Sequence, residues 1–394
     1  MTLAPTRPEA IRADVDLSRS ALESVTAELA ATAPEYDRTG AVPRAGLEAA
    51  HRAGLLTATV GARHGGPGLG PVDTARILVA LGEGDPSVAL LAANNLAVHA
   101  AQAVNGHWPE AAYDDLLRHS AAGPALANSI RAEPELGAPA RGGLPTTTAR
   151  RTAEGWSVSG HKAYATGGAA LAYHVVWVVT DEEVPRVGHL LVPADAPGIT
   201  WIETWDHLGL RASNTHDVVY DDVLVPRDNF VEIPLTDGAY RDPAATAGPW
   251  SFGHPALYLG VARAARTAFA AYARQRVPTA LGRPIATTER IQSVAGEIEA
   301  QIAQAETLLY GSLLRLEHGA DPREVEAQLS VVKVQIGRSV IAAVNAAVAA
   351  LGNPALTRAN PLERHLRDVL CVRIHPPQED SALVAAGRRI LGEQ

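Results

Sequence analysis

Leu208-Gly209-Leu210-Arg211-Ala212-Ser213-Asn214-Thr215, running on through Val218-Val219-Tyr220-Asp221-Asp222-Val223-Leu224-Val225 to Pro226, decides how the rest of the chain is read. A turn-rich loop feeds a β-branched run that proline closes, which predicts a strand bounded by turns. Similar runs occur upstream from about Pro124: Thr146 to Arg151, Trp156 to Ser159, Val175 to Thr180, His189 to Val192 and Ile199 to Trp205. Gly, Pro and Asp separate them at close spacing, so a small β sandwich or barrel is expected.

On both sides of this region the periodicity is helical. Leu22, Val25 and Leu29 recur at helical spacing, as do Leu78 and Leu81, and Ser87 to Val104 is apolar on nearly every side. A helix of that kind is expected to be buried. His64 to Gly70 is a turn-rich connector between them. After about residue 245 come Leu257, Val261, Ala264, Ala268 and Tyr272, then Ile291, Val294, Ile298, Ile302 and Leu309. A third helix starts at the capping box Asp321-Pro322-Arg323-Glu324, runs through Val325, Leu329, Val332, Ile336, Val340 and Val344, and stops at Gly352. A shorter one covers about Pro361 to Arg373. Long amphipathic helices in succession make a bundle. The expected fold is α+β in three parts: an N-terminal helical domain (1–122), a central β domain (123–238) and a C-terminal helical bundle (239–394).

Composition narrows the partners. At 394 residues, a prior of roughly 150 per domain gives two or three domains. Hydrophobic residues make up 47% and charged residues 20%, enough to bury large cores. The net charge of −9 argues against nucleic acid or an anionic membrane as partner. Cys371 is the single cysteine, so no intrachain disulfide forms. The start of the chain lacks the apolar core of a signal peptide, and no run of about 18 apolar residues is evident. A cytoplasmic protein is expected. No G-x-G-x-x-G follows a strand, and there is no Walker A loop, no G-x-S-x-G elbow and no H-E-x-x-H or C-x-x-C pairing. Nicotinamide binding, serine hydrolysis and a metal site are therefore unsupported.

Several motifs, in order, resemble those of the acyl-CoA dehydrogenase superfamily. Ala53-Gly54-Leu55-Leu56 followed by Gly65-Gly66-Pro67-Gly68-Leu69-Gly70 is similar to its "GL…GG-x-G" connector. Arg131-Ala132-Glu133-Pro134-Glu135-Leu136-Gly137 resembles its "TEP-x-x-G" loop, and Gly160-His161-Lys162-Ala163-Tyr164-Ala165-Thr166-Gly167 its "G-x-K-x-W-I-T-N-G" strand. The Leu208 to Pro226 run resembles the family's most recognisable segment. Arg276, Gly282-Arg283-Pro284-Ile285 and Arg367-Asp368 fall where bundle motifs should.

The resemblance implies a flavin, FMN or FAD, between the β domain and the bundle, and a homo-oligomer (dimer or tetramer) completing each site. By position it implies cofactor contacts from Tyr164, Thr166, Ser213 and Arg276, with Tyr164 against the isoalloxazine, Thr166 at its N5/O4 edge and Arg276 reaching a neighbour's cofactor phosphates. Ordinary strand chemistry is the competing reading for Tyr164 and Thr166, and a solvated helix-end charge that for Arg276.

Where the family's dehydrogenases carry a catalytic glutamate, this chain reads Arg367-Asp368-Val369-Leu370-Cys371-Val372-Arg373-Ile374-His375-Pro376-Pro377, with proline in the base's place. The alternative base position, at the start of the first bundle helix, reads Pro249-Trp250-Ser251-Phe252-Gly253-His254 and has no carboxylate. Glu379 or Asp380 would have to substitute. The acyl-CoA channel's "G-S-D" is Gly137-Ala138-Pro139, and the loop that holds FAD across the interface is Ala349-Ala350-Leu351-Gly352-Asn353-Pro354-Ala355, without its glutamine.

His375 beyond Arg367-Asp368 is instead similar to the flavin-dependent monooxygenases on this fold, the dibenzothiophene monooxygenase-like and p-hydroxyphenylacetate hydroxylase oxygenase-like enzymes. These take reduced flavin from a separate NAD(P)H-flavin reductase and form a C4a-hydroperoxide with O2. Such chemistry wants a hydroxyl near N5, for which Thr166 is expected, and a histidine near the peroxide, for which His375 is expected. A helix-end histidine facing the local dipole is the competing reading of His375. Some of these enzymes carry a further histidine in the second long N-terminal helix, where this chain has Asn95, with His99 one turn later. The leading expectation is therefore the oxygenase component of a two-component monooxygenase acting on a small organic substrate. The alternatives are an acyl-CoA dehydrogenase-like FAD enzyme with a displaced base and a non-catalytic acyl-binding scaffold.

Overall fold

A computed structural model describes residues 11–136, 144–236, 239–240 and 253–392. Five helices come first: α1 (Arg19–Thr39), α2 (Arg44–Arg52), α3 (Pro71–Gly84), α4 (Pro86–Asn105) and α5 (Glu110–Ala122). The start of α4 is set by Asp85, whose carboxylate accepts the Ser87 N–H, and by Pro86 in the first turn. Gly106, in a left-handed conformation, ends it.

The β region holds β1 (Leu126–Ile130), β2 (Thr148–Arg151), β3 (Gly155–Ala165), β4 (Leu171–Thr180), β5 (Val187–Pro193), β6 (Ile199–Ile202), β7 (His216–Pro226) and β8 (Phe230–Glu232). They form one mixed sheet ordered β6-β7-β3-β2-β4-β5-β8, with β1 also on β4. β4 is long enough to take β1 in parallel along its first half and β2 at its end. The expected sandwich or barrel is thus built from a single branched sheet. β1 escaped the sequence reading because Asn128 and Ser129 interrupt its apolar run. β6 ends at Ile202 rather than Trp205, since the Trp205 N–H turns aside to His216 Nδ1.

A two-residue pair, β9 (Leu235–Thr236) with β10 (Ala239–Tyr240), closes the β region. The bundle follows: α6 (Gly253–Gln275), α7 (Glu289–Glu317), α8 (Pro322–Leu351), α9 (Pro361–Leu370) and α10 (Glu379–Leu391). α3 and α6 meet backbone to backbone at Gly82 and Gly260. A Cβ on Gly82 would lie 2.2 Å from the Leu257 carbonyl oxygen, and one on Gly260 would lie 2.3 Å from that of Val79. One contiguous apolar core joins N-terminal helices, sheet and bundle, from Leu29 and Leu78 through Val176 and Val218 to Leu257 and Val340.

Two helical stretches, Pro86–Asn105 and Gln328–Leu351, are long and apolar enough by length and composition to cross a membrane, which corrects the expectation that no such run exists. They are buried inside the molecule over 67% and 50% of that length, as core helices are.

A polar clasp locks the three regions together. Arg367 in α9 makes a two-pronged ion pair with Asp37 of α1, at 2.8 and 2.6 Å, and a second one with Glu363. The same guanidinium donates to the Leu208 carbonyl, while Asp368 accepts the Leu210 N–H at 2.8 Å. Arg211 donates to the Asp37 carbonyl and Asn214 to that of Gly40. Loop 208–215 is therefore tied to both helical regions. Arg367 and Asp37 are only 11% and 14% exposed, so removing one partner strands the other charge. Arg367→Met should destabilise the protein by about 3 kcal/mol in urea unfolding; a change within error would show that the clasp follows the fold rather than fixing it.

Candidate functional site

β3 ends in a strained turn. Tyr164 has φ 56° and is 59% exposed, an unusual conformation for an aromatic residue and a large ring left facing outward. The Thr166 N–H returns to the Tyr164 carbonyl, the Gly167 N–H bonds the Ser213 carbonyl, and Asn128 donates to the Thr166 carbonyl at 2.8 Å. Gly167 and Gly168, both at positive φ, let the chain turn there. Across the turn, the Ser213 hydroxyl meets Thr215 Oγ1 at 2.7 Å, and Thr215 donates to Thr166 Oγ1 at 3.1 Å. Thr215 has one proton and gives it to Thr166, so Ser213 must donate to Thr215. The chain of hydroxyls ends on Thr166, whose own proton remains to be offered. The Ser213 side chain is fully buried, and its hydroxyl reaches the turn through Thr215 while its carbonyl holds Gly167. Beside Tyr164 lies His207, ring centroids 6.2 Å apart edge to face and followed in the chain by the exposed Leu208; His207 itself stacks on Trp205 at 3.7 Å.

A second cluster forms where α6 meets the segment after α9. His375 Nε2 lies 2.7 Å from the Tyr258 hydroxyl. The His254 ring stacks on the His375 ring with centroids 4.3 Å apart and planes within 2°. Lys333 of α8 donates to the His375 and Pro377 carbonyls. Burial drives His254 down to about 3 and, with the neighbouring His254 and Lys333, holds His375 well below the usual range. Burial likewise brings Lys333 down to about 7. His375 stands beyond the end of α9 in an irregular turn, not on a helix terminus. His254, Tyr258 and Lys333 were missed in the sequence. The spacing of His254 and Tyr258, i and i+4 on one helix, was the available signal, but nothing local indicates that His375 lands beside them.

The remaining expectations divide. Arg276 is exposed just past α6, and by helix rise about 27 Å along it from Tyr258. Its guanidinium makes no ion pair among the described residues. Glu379 is held by Arg338 at 2.6 Å, and Asp380 accepts the Ser381 N–H in the first turn of α10. Asn95 spans Leu56 and Ala127, tying α4 to β1, while His99 is fully buried against the Tyr113 hydroxyl at 2.9 Å. Gly137-Ala138-Pro139 and Pro249 to Phe252 lie outside the described residues. Among the described residues no group of three or more His, Cys, Asp or Glu could hold a metal ion.

Comparison with known proteins agrees with this layout. Residues 14–111 match the acyl-CoA dehydrogenase N-terminal domain, residues 130–223 the middle domain and residues 252–377 the C-terminal domain. The chain is 30% identical over 358 residues to the putative acyl-CoA dehydrogenase YdbM of Bacillus subtilis (strain 168), covering 90% of this chain and 92% of that protein. The chain belongs to the acyl-CoA dehydrogenase superfamily. This superfamily member is also 30% identical over 387 residues to L-evernosamine nitrososynthase of Micromonospora sp., covering 93% of this chain and 86% of that enzyme. It superposes on KijD3, solved in complex with FMN and dTDP-3-amino-2,3,6-trideoxy-4-keto-3-methyl-D-glucose, with a TM-score of 0.80 at 26% identity over 99% of this chain and 97% of that one. The superfamily is one of flavin-dependent oxidoreductases.

The buried and half-buried histidines make stability pH-dependent. Burial lowers His99 and His174 to about 4 and His254 and His365 to about 3, with His375 also depressed. Each titrates near 6.5 when unfolded, so below that pH the unfolded chain binds more protons and stability falls on acidification. Asp85 and Asp368, raised by burial to about 6 and about 7, push the opposite way between pH 4 and 7. The histidines outnumber them, so Tm should fall steadily from pH 6.5 to 4.5. A flat or rising Tm would mean that these rings are protonated in the folded state.

Proposed function

We propose that this protein is the oxygenase component of a two-component flavin-dependent monooxygenase, using reduced flavin and O2 on a small organic substrate. The observation that carries this reading is the absence of a carboxylate from both places where family members keep a base. One holds His254 and the other His375-Pro376, and the two rings stack on each other. The acids that next follow His375 in the chain are engaged elsewhere, Glu379 with Arg338 and Asp380 with its own helix. Dehydrogenation of an acyl thioester needs a base to take the α-proton, and a histidine held neutral inside a stack is a poor one.

The β3 turn fits a flavin edge. It offers an exposed aromatic ring, a backbone thinned by two glycines and a hydroxyl whose acceptor side is already filled by Thr215. Bound there, reduced flavin supplies the electrons that activate O2. Tyr164 would cover the ring, Thr166 Oγ1–H would be offered as a donor at its edge, and Ser213 would act through Thr215. His375 offers an N–H without adding charge, and apolar Leu208 helps exclude water. Arg276, too far along α6 to serve the same site, is assigned to a neighbour's cofactor phosphates in a homo-oligomer (dimer or tetramer). A separate NAD(P)H-flavin reductase would supply the flavin. A lone cysteine requires no oxidising compartment, which supports action in the cytoplasm. The likeness to YdbM favours the second reading, an acyl-CoA dehydrogenase-like FAD enzyme, which requires Glu379 to leave Arg338.

Freshly purified protein should be colourless and capture added reduced FMN; firmly bound yellow FAD would favour the second reading. Stopped-flow mixing with O2 should show a transient absorbing unlike reduced or oxidised flavin, and His375→Ala should shorten its life and raise hydrogen peroxide release. No transient in the wild-type protein would defeat the proposal.

Thr166→Val keeps the shape of the side chain and removes the donor, so stability should change little while turnover falls. Loss of one such donor costs about 2.7 kcal/mol at the lower end of the usual range. Thr166→Ser should retain most activity. Equal turnover by valine and serine would make Thr166 a plain strand-end residue and misplace the flavin.

A further inference from the structure

We propose that Tyr258 and His254 are positioning residues that hold His375 as its Nδ1–H tautomer. The inference rests on the oxygenase reading for its purpose but not for its geometry. Tyr258 is fully buried in α6, and its hydroxyl lies 2.7 Å from His375 Nε2. A phenol that only accepted from Nε2–H would leave its own buried proton unmet, because His375 is its one hydrogen-bond partner among the described residues. Burial raises the phenol far above its usual range, so it keeps its proton. The phenol therefore donates, Nε2 accepts, and the ring proton resides on Nδ1.

Phenylalanine would fill the same volume, whereas a buried hydroxyl costs stability unless it is bonded. The partner of this hydroxyl is His375. One helical turn before Tyr258, His254 lies flat against the same ring, 4.3 Å away and parallel within 2°. Such a stack suits two uncharged imidazoles and opposes rotation of either. Lys333 completes the hold from α8 by donating to the His375 and Pro377 carbonyls, fixing the backbone below the ring. Thus α6 sets the ring and its proton, and α8 sets the turn that carries it. The donor offered to the oxygen chemistry is Nδ1–H in a single orientation, which is what preorganisation requires.

The test is nitrogen-15 NMR of histidine-labelled protein, with the His375 signals assigned by their loss in His375→Ala. In the flavin-free wild-type protein, Nε2 should show a pyridine-type shift and Nδ1 a pyrrole-type shift. Tyr258→Phe should mix the two forms, and His254→Ala should broaden the His375 signals. Wild-type protein with the proton on Nε2 overturns the proposal without any Tyr258 or His254 variant, and so does Tyr258→Phe with unchanged shifts. Under the oxygenase reading, Tyr258→Phe and His375→Ala should raise peroxide release alike, and the double variant no further, because the two act as one unit. If the shifts behave as expected but no oxygenated transient forms, the tautomer assignment stands and the oxygenase reading falls.

Discussion

Arg367 and Asp368, adjacent in α9, hold the molecule in register. A guanidinium offers five donors in a rigid fork. Here they go to Asp37 of the first helix, to Glu363 one turn back and to the Leu208 carbonyl. Asp368 takes the Leu210 N–H. Gly209 lies between these two contacts, where a Cβ would come within 2.5 Å of the Arg367 carbonyl oxygen. α9 and loop 208–215 thus approach as closely as backbone allows, and that closeness decides where everything downstream can lie. Ser213 and Thr215 are carried on the loop, and His375 is carried on the segment just after α9.

The same contacts explain how strain persists at the site. Tyr164 and Leu210 adopt left-handed conformations that bulky residues avoid, whereas Asn214 adopts one that asparagine tolerates. Such strain, of order 1–3 kcal/mol each, survives only where the surroundings over-determine it. The Leu210 amide is held by Asp368, Asn214 by the Gly40 carbonyl, and the Tyr164 turn by Asn128 and the Ser213 backbone.

Electrostatically the two clusters differ. The β3 turn is assembled from hydroxyls and amides that carry no charge. The His375 cluster contains titratable groups, yet burial keeps both histidines neutral and lowers Lys333. Among the described residues the hydrogen-bond and ring partners of His375 come from α6, His254 and Tyr258, and from α8, Lys333, and none is a carboxylate. Rings whose basicity burial depresses this far hold an abstracted proton poorly, which tells against α-proton removal by either histidine.

Much of the architecture was legible in the chain. Three long periodic stretches became α6, α7 and α8, and alternating apolar runs became β3, β4, β5 and β7, because burial of one face imposes its period on the sequence. The Tyr164-Ala165-Thr166-Gly167 turn could also be read, since a strand end with glycines is a local signal. β1 was missed because its apolar run is short and broken. The sequence alone determined the order of elements, the resemblance to the family and the lack of a carboxylate at either position where that resemblance implies a base, all of which are matters of local residue identity. Only the tertiary structure decided that Ser213 is buried with its hydroxyl on Thr215, that Glu379 is tied to Arg338, and that His254 and Tyr258 meet His375 from more than a hundred residues away. Those outcomes depend on how rigid helices pack around Gly82, Gly260 and Arg367, and no local pattern encodes contacts across such a separation.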